Sequence, residues 1–359
     1  MYDVAVKYFW IIPLIAFITT LVITPLSILL AKKTGAMDIP KDNRRVHKKP
    51  IPRIGGIGIY VGISTAYLIA IKLGLCDFPG IDDFELYGVF VGGTVMFIVG
   101  LIDDVKGMRP IVKLIGQIIS ALIVFFAGVR VINFGGFIGS NIANIDGALS
   151  LIITVLWIIA IANTINLVDG LDGLAAGVVA ISTCCIAYVA YIHGNYHIAC
   201  FTMLGMAGAC LGFLPYNFYP AKTFMGDCGS QYLGFMLATF AILGPPVKGA
   251  TIVALIIPAL TLSLPIFDTL FAILRRLVNH KPIMEADKEH VHHRLMKTGM
   301  GQVRTVLCMY GVTAIMGTAA VLFSRDLMVE TIGLCLIAFA FIYIIMTDPN
   351  RKSPKLKKD

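Results

Sequence analysis

The chain has 359 residues, of which 58% are hydrophobic and 14% are charged. Soluble globular domains carry about 25% charged residues, so this composition excludes an ordinary soluble protein, and its many aliphatic residues exclude a disordered one. The formal net charge is +8. In a lipid-buried chain an excess of Lys and Arg usually sets the orientation in the membrane, and no nucleic-acid partner is expected.

Apolar runs long enough to cross a bilayer recur along the whole chain. A spanning helix needs about 20 mostly apolar residues, and eleven such runs occur between polar or Gly- and Pro-containing breaks. They lie at about 9–30, 54–74, 86–102, 111–128, 148–165, 174–192, 197–215, 230–244, 250–274, 303–323 and 328–347. The ninth run contains Pro258 and Pro265, which predict a helix broken inside the membrane, where its backbone is buried in protein or lines a site.

The basic residues predict how the chain is oriented. Of its 29 Lys and Arg residues, 24 fall in one alternating set of loops and in the tail. These segments are 31–53, 103–113, 166–173, 216–229, 275–304 and 348–359. Because Lys and Arg are held on the cytoplasmic side, we predict an all-α polytopic integral membrane protein of about eleven transmembrane helices, with its N-terminus outside and its C-terminus cytoplasmic. It forms a single membrane domain, 1–347, followed by a basic cytoplasmic tail, 348–359.

Four polar clusters lie in the loops that the basic residues assign to the cytoplasm. The first is Asp103-Asp104, whose adjacent carboxylates need a cation or solvent, although one such pair is also typical of a solvated helix end. The second is N-T-I-N-L-V-D-G-L-D-G at 163–173, in which Asn166, Asp169 and Asp172 recur every third residue and can share one side of a turn. Hard oxygen ligands of this kind suit magnesium, whereas the alternative is a glycine turn with capping Asp residues.

The third cluster, at 217–230, opens the eighth apolar run. A Gly-flanked helix N-terminus binds anions readily, and Asp227 is suited to hold a metal over a phosphate. Phe224 can stack on a nucleobase, although a phenylalanine in this setting more often belongs to the core.

The fourth cluster is His290-Val-His292-His293-Arg294, after the ninth run. Its imidazoles can bind zinc, but no cysteine or fourth-ligand spacing supports that, and a phosphate contact fits Arg294 better. A further basic segment, 44–56, is interpreted mainly as a topology determinant that contacts anionic lipid.

Together the clusters supply carboxylates for a metal, cations for phosphates and an aromatic ring for a base, which suits phosphoryl transfer between a soluble nucleotide and a lipid. A transporter is the rival from another class, because the broken helix and the intramembrane Asp268 are typical of transporters. A transporter would have ionisable residues near the membrane midplane, whereas here they are concentrated at one face. A CDP-alcohol phosphotransferase shares the Asp-Gly theme, yet D-G-L-A-A at 172–176 lacks the arginine it would need.

Four segments resemble, in order and spacing, the polyprenyl-phosphate N-acetylhexosamine-1-phosphate transferases, over about 44–301. They are I-D-D at 102–104, N-L-V-D-G-L-D-G-L at 166–174, F-M-G-D-C-G-S at 224–230 and H-V-H-H-R-L at 290–295. P-R-I-G-G at 52–56 and the H-x-H-H-R form are similar to the WecA/TagO branch. The muramyl-pentapeptide branch, MraY, typically shows P-x-M-G-G and an unbroken His triplet.

The resemblance implies transfer of N-acetylglucosamine 1-phosphate from UDP-N-acetylglucosamine to undecaprenyl phosphate, with release of UMP, as the first membrane step of a cell-envelope polysaccharide such as teichoic acid or O-antigen. Another UDP-N-acetylhexosamine and the muramyl-pentapeptide nucleotide stay open as alternative donors. The resemblance also implies a magnesium or manganese cofactor and inhibition by nucleosides of the tunicamycin type. It implies the bacterial cytoplasmic membrane, with the active site on its cytoplasmic face, and a homodimer is a further expectation.

The same resemblance assigns roles to residues. The catalytic set is Asp103, Asp104, Asp169, Asp172, Asp227, His292 and His293. Asp227 and Asn166 are expected to hold the metal, and the residues expected to bind the UDP-sugar are Asn166, Asp172, Asn217, Phe224, His290, His292, His293 and Arg294. Lys49, Arg53 and Lys113 are expected to contact the lipid phosphate or the pyrophosphate. Whether Asp103 or Asp104 accepts a proton or positions the lipid stays open, because a phosphate with a second pKa of about 6 is largely ionised at neutral pH.

Overall fold

A computed structural model describes residues 10–40, 49–72, 82–131, 147–194, 202–243, 251–278, 291–297 and 299–347. Its helices are α1 (Ile11–Thr34), α2 (Gly56–Lys72), α3 (Asp83–Lys106), α4 (Pro110–Phe126), α5 (Ala148–Val168), α6 (Leu174–Ile192), α7 (Leu204–Asn217), α8 (Gly226–Leu243), α9 (Thr251–Thr261), α10 (Ser263–Val278), α11 (Val291–Lys297), α12 (Gln302–Phe323) and α13 (Met328–Thr347). Each predicted apolar run overlaps one of these helices, and the ninth overlaps two. The predicted tail, 348–359, lies outside the described residues.

The helices are those of a multi-pass membrane protein. Five of them, α1, α3, α5, α6 and α12, are long and apolar enough to cross a bilayer, and α2, α4 and α13 are shorter apolar helices. Many large apolar side chains on these helices are exposed, as on α1 at Leu14, Ile18 and Val22. In water such a surface would be costly, whereas in lipid it is the expected exterior.

The ninth run is divided at Leu262, between α9 and α10. Pro265 has no N–H, so it cannot donate to the carbonyl of Thr261 four residues earlier. Ser182 on α6 supplies a replacement, because its hydroxyl donates to that carbonyl at 3.4 Å. The break therefore lies where a neighbouring helix can satisfy the freed backbone group.

The structure is mostly helical, as predicted, but it also contains a short β-hairpin that the sequence does not predict. Strand β1 (Met37–Asp38) pairs antiparallel with β2 (Ile51–Pro52), and Met37 lies opposite Pro52. Pro50 and Pro52 disfavour a helix here because neither has an N–H to donate. The other edge of this segment pairs with the chain before α8, since the carbonyl of Pro52 accepts the N–H of Phe224 at 2.8 Å.

Helix α8 lies at the centre of the bundle. All of its residues from Cys228 to Ile242 are buried, as expected of a helix that is largely apolar around its circumference. The two helices that pack most extensively against α8 are α3 and α5. The start of α8 is therefore the point about which the other helix ends are arranged.

Glycines allow the backbones of α2 and α3 to reach the first turn of α8. A Cβ atom on Gly56 would lie 2.3 Å from the amide nitrogen of Gly229, and one on Gly100 would lie 2.6 Å from the carbonyl carbon of Asp227. Gly226 adopts a φ of 71°, which side chains rarely tolerate. Any side chain at these positions would push α2 or α3 away from α8.

We predict that Gly56→Ala destabilises the protein by about 1–3 kcal/mol, because the new methyl group overpacks a backbone contact. The measurement is thermal unfolding in detergent. Gly311→Ala is the matched control: Gly311 also lies in a helix, α12, but a Cβ there has no neighbour within 4 Å. Equal melting temperatures for the two variants would contradict the backbone contact between α2 and α8.

Candidate active site

A cavity of about 1100 Å³ opens where the end of α1, the hairpin, the end of α5 and the start of α8 meet. Seven of the residues predicted to form the site line it. They are Lys49, Arg53, Asn166, Asp169, Asp172, Phe224 and Asp227. Segments far apart in the sequence therefore contribute polar groups to one cavity, which is typical of a substrate site.

Asp227, in the first turn of α8, is surrounded by donors. Its Oδ1 accepts a hydrogen bond from Asn166 at 3.0 Å, and its Oδ2 accepts one from Gln231 at 3.2 Å. The ammonium group of Lys113 forms an ion pair with the same Oδ2. The side chain of Asp227 keeps 16% of its surface exposed, so a ligand in the cavity can reach a carboxylate whose direction is already fixed.

Asp104 holds the start of α8. Its Oδ1 accepts the N–H of Asp227 at 2.9 Å and its Oδ2 accepts the N–H of Cys228 at 2.9 Å. The guanidinium Nε of Arg53 lies 3.5 Å from Oδ1, and the carboxylate side chain is fully buried. The sequence predicts an anion site at this helix N-terminus, and in the structure the carboxylate of Asp104 accepts two of its N–H groups.

Asp103 and Lys113 lie beside the cavity without lining it. The ammonium group of Lys113 is 3.2 Å from Asp103 Oδ2, and Asp103 Oδ1 accepts the N–H of Met108 at 2.7 Å. Lys113 therefore links Asp103 to Asp227, and one cation balances two carboxylates. Its predicted contact with a phosphate stays a prediction.

Asp172 and Asn217 join two loops of the site. Asp172 Oδ2 accepts the N–H of Ala221 at 2.9 Å. Asn217 is buried, accepts the N–H of Gly173 at 3.0 Å and donates to the carbonyl of Thr223 at 3.0 Å. Asn217 is not among the cavity-lining residues, and its predicted contact with the UDP-sugar stays a prediction beside this loop-bridging role.

Asp169 has the most perturbed carboxyl group in these loops. Burial raises its pKa to about 7, the carboxylates of Asp104 and Asp172 act in the same direction, and Arg53 opposes them. A negative charge at Asp169 is therefore costly, because both desolvation and like charges disfavour it. A bound cation or donor group would lower this pKa again.

The donor set fits a magnesium ion that is shared with a substrate. The described residues contain no group of three or more His, Cys, Asp or Glu side chains placed to hold a metal by themselves. Magnesium usually takes one or two protein carboxylates and fills its other positions with water and substrate phosphates. Asp227 offers such a carboxylate on the cavity wall, and Asn166 beside it has an amide oxygen.

The fourth cluster is described only in part. His290 lies outside the described residues, as do the side chains of His292 and His293, while Arg294 is exposed. The backbone of 291–297 forms α11, and Asp268 Oδ1 accepts the N–H of Val291 at 2.9 Å. The buried acid that favoured a transporter thus ties α10 to the helix that carries the His motif. None of the described cavity-lining residues comes from α11.

Several polar residues of the cavity wall have no predicted role. Lys32 lies in a segment that was counted only for topology, Lys222 lies within the third cluster, and Gln302 belongs to no motif, yet all three line the cavity. The ammonium group of Lys222 also lies 5.8 Å from the ring centre of Tyr216. Nothing in the local sequence distinguishes Lys32 from the neighbouring Lys33, so only the arrangement of the helix ends could identify it.

Comparison with known proteins yields a consistent set of relatives. Residues 86–245 match glycosyl transferase family 4. The chain is 36% identical to the probable undecaprenyl-phosphate N-acetylglucosaminyl 1-phosphate transferase of Bacillus subtilis, over 96% of this chain and 93% of that protein. It is 34% identical to the decaprenyl-phosphate N-acetylglucosaminephosphotransferase of Mycolicibacterium smegmatis, over 88% of this chain and 83% of that protein.

A second group of relatives is more distant. The phospho-N-acetylmuramoyl-pentapeptide-transferase of Desulforudis audaxviator is 30% identical over 85% of this chain and 96% of that protein. The match to the Bacillus protein covers nearly the whole chain at higher identity, and it confirms the resemblance found in the motifs. The chain therefore belongs to glycosyl transferase family 4, among the polyprenyl-phosphate N-acetylhexosamine-1-phosphate transferases.

Proposed function

We propose that this protein transfers N-acetylglucosamine 1-phosphate from UDP-N-acetylglucosamine to undecaprenyl phosphate, and that it releases UMP. The observation that carries the proposal is the convergence of Asn166, Asp169, Asp172 and Asp227 on one cavity at the helix ends. Carboxylates for a metal and cations for phosphates lie together there, as phosphoryl transfer requires.

The relatives favour N-acetylglucosamine over the alternative donors. The Bacillus and Mycolicibacterium proteins are named for N-acetylglucosamine, and they are 36% and 34% identical to this chain. The Desulforudis protein, named for the muramoyl pentapeptide, is 30% identical. Another UDP-N-acetylhexosamine or the muramyl-pentapeptide nucleotide therefore ranks second.

The proposed reaction makes one bond and breaks one. An ionised oxygen of the lipid phosphate attacks the sugar-linked phosphorus of the donor, and the bond from that phosphorus to the bridging oxygen breaks. UMP leaves with the bridging oxygen and the electron pair. The nucleophile needs no strong base, so the protein contributes alignment and charge neutralisation.

The contacts of the first acidic pair support positioning rather than proton transfer. Both oxygens of Asp104 accept backbone N–H groups of α8, and Asp103 accepts an N–H while it pairs with Lys113. Neither residue lines the cavity. We therefore assign Asp104 to holding the start of α8, and Asp103 to holding Lys113 near Asp227.

We also propose a magnesium ion, or manganese, held by Asp227 and Asn166. Such an ion neutralises the charge that develops on the transferring phosphates. Asp227 already points at the cavity under the control of Asn166 and Gln231. Lys113 is paired with that carboxylate, and it would be able to turn toward a phosphate if a divalent cation neutralised Asp227.

The arrangement of helix ends supports the proposed topology. The cavity is lined from the ends of α1 and α5 and from the starts of α8 and α12, while Asp104, near the end of α3, bonds to α8 beside it. An up-and-down bundle would bring these ends to one side. Because 24 of the 29 basic residues belong to loops of that side, we propose eleven spans in the bacterial cytoplasmic membrane, an outer N-terminus and a cytoplasmic active site.

The same proposal includes several further roles and properties that the family resemblance implies. They concern the roles of Lys49, Phe224, His290, His292, His293 and Arg294 in substrate binding. They also include a homodimer, binding of tunicamycin-type nucleosides and supply of a cell-envelope polysaccharide pathway. Of these residues, Lys49 and Phe224 line the cavity, which supports direct contact with a substrate.

The first experiment incubates purified protein with labelled UDP-N-acetylglucosamine, undecaprenyl phosphate and magnesium. We expect a lipid-linked product and UMP, and a much slower reaction with UDP-N-acetylgalactosamine or UDP-muramyl pentapeptide. Asp227→Asn should lower kcat by at least about 100-fold, since it removes a charge that acts on the transition state. Asp326→Asn is the control, because Asp326 lies in a left-handed turn that Asn also tolerates. An Asp227→Asn variant as active as the control would contradict the assigned site.

A second prediction concerns Asp104. In Asp104→Asn an amide N–H₂ replaces one acceptor oxygen, so one N–H of the first turn of α8 is left facing a donor. We expect a loss of about 1–3 kcal/mol of stability together with a lower kcat. Asp82→Asn serves for comparison, because Asp82 is exposed at the start of α3, where Asn caps a helix as well as Asp does. If unfolding of the two variants coincided, Asp104 would not hold α8.

The topology is tested by labelling single cysteines in intact cells with a membrane-impermeant maleimide. In a cysteine-free background, Glu330→Cys, at the start of α13, should react from outside. Lys33→Cys, at the end of α1, should react only after the cells are permeabilised. The reverse pattern would overturn the proposed orientation.

A further inference from the structure

Beneath the ion pair of the site lies a second, uncharged pair that links the same two helices. Lys113 and Gln117 are four residues apart on α4, and Asp227 and Gln231 are four residues apart on α8. Lys113 pairs with Asp227, and Gln117 Nε2 donates to Gln231 Oε1 at 3.0 Å. Four residues of helix span about 6 Å, so the amide pair lies one turn deeper in the bundle.

This amide pair is buried and is connected on both sides. Gln231 is fully buried, and Gln117 is 2% exposed. On one side Gln231 donates to Asp227 Oδ2 at 3.2 Å. On the other, Asn163 donates to Gln117 Oε1 at 2.9 Å and to the carbonyl of Ile159 at 2.9 Å. A buried amide without a hydrogen-bond partner is costly, and here the amides act as hydrogen-bond partners for one another.

The carboxylate of Asp227 sets the direction of the whole chain of hydrogen bonds. An ionised carboxylate only accepts hydrogen bonds, so Gln231 must turn its N–H₂ group toward Asp227 and its oxygen toward Gln117. Gln117 then donates to that oxygen and accepts from Asn163. Gln117 Nε2 also donates to Asn163 Oδ1 at 3.2 Å, so the direction set at Asp227 extends through Gln231 as far as Gln117. Aligned donors of this kind strengthen one another.

We infer that Gln231, held by Gln117, is a positioning residue that fixes the direction of the Asp227 carboxylate for metal binding and transfer. The inference rests on the proposed function. The cation paired with the same carboxylate, Lys113, has a second carboxylate partner in Asp103 and a proposed task at a phosphate. Gln231 is enclosed in the bundle, so its hydrogen bond persists while the charges in the cavity are exchanged.

The test uses the full-length protein in detergent or vesicles and the variants Gln231→Met, Gln117→Met and the double variant. Methionine keeps the length and flexibility of the side chain without its amide. Four quantities are measured for each variant: kcat and KM with UDP-N-acetylglucosamine, the affinity for Mn²⁺ alone by electron paramagnetic resonance, and the melting temperature. Thr239→Val is the matched control, because Thr239 is a buried polar residue of α8 whose hydroxyl bonds within its own helix, to the carbonyl of Phe235.

For Gln231→Met we expect kcat to fall by roughly 10- to 100-fold, the range for loss of a hydrogen bond to a charged group, with KM changed by less than about threefold and weaker Mn²⁺ binding. Gln117→Met should have a smaller effect of the same kind. The double variant should match Gln231→Met, because residues that act through one path are not additive. Thr239→Val should lower only the melting temperature.

Two results would overturn the inference. One is a wild-type kcat and a wild-type Mn²⁺ affinity in Gln231→Met. The other is a loss of kcat that adds in the double variant and that follows the fall in melting temperature in every variant, Thr239→Val included. Failure of the proposed function looks different, because the wild type itself would then form no lipid-linked product. Mn²⁺ binding still decides in that case whether Gln231 positions Asp227.

Discussion

The site depends on one buried carboxylate that binds the first turn of the central helix. Asp104 accepts the N–H groups of Asp227 and Cys228, so the end of α3 and the start of α8 share a fixed geometry. A carboxylate at a helix N-terminus is favoured by the unpaired N–H groups and by the helix dipole. Arg53 lies on the same carboxylate, which connects the segment between β2 and α2. Three elements are thereby oriented by a group that no ligand needs to touch.

This arrangement is possible only because the backbones come unusually close. Gly56 and Gly100 bring α2 and α3 to the backbone of α8, and Gly226 supplies the left-handed turn that starts the helix. Small residues at helix contacts are the usual way to gain packing in lipid, where apolar side chains are not driven together by water. The glycines in P-R-I-G-G and F-M-G-D-C-G-S therefore serve the geometry of the site indirectly: they let Asp104 reach two N–H groups at once.

The sequence allowed the helices and the acidic residues of the site to be predicted, but not the partners of those residues. Apolar runs and polar breaks are local signals, and each predicted run overlaps a helix. The hairpin was missed because a two-residue strand has no periodicity to detect. The sequence predicts that the start of α8 can bind an anion, but it does not show that Asp104 accepts two of the N–H groups there. Lys32, Gln302 and the Gln117–Gln231 pair depend on contacts between distant segments, which no local pattern contains.

The charges of the site explain why such a scaffold is needed. Asp103, Asp104 and Asp227 lie close together, and like charges in a weakly polar region repel strongly. Lys113 and Arg53 offset part of that repulsion, and buried amides and backbone N–H groups offset more without adding charge. At Asp169, burial and the acidic neighbours outweigh the opposing effect of Arg53, and they raise the pKa of this carboxyl group to about 7. Negative charge is therefore costly on this wall of the cavity, and the amides of Asn166 and Gln231 fix the carboxylate of Asp227 in place without adding charge to it.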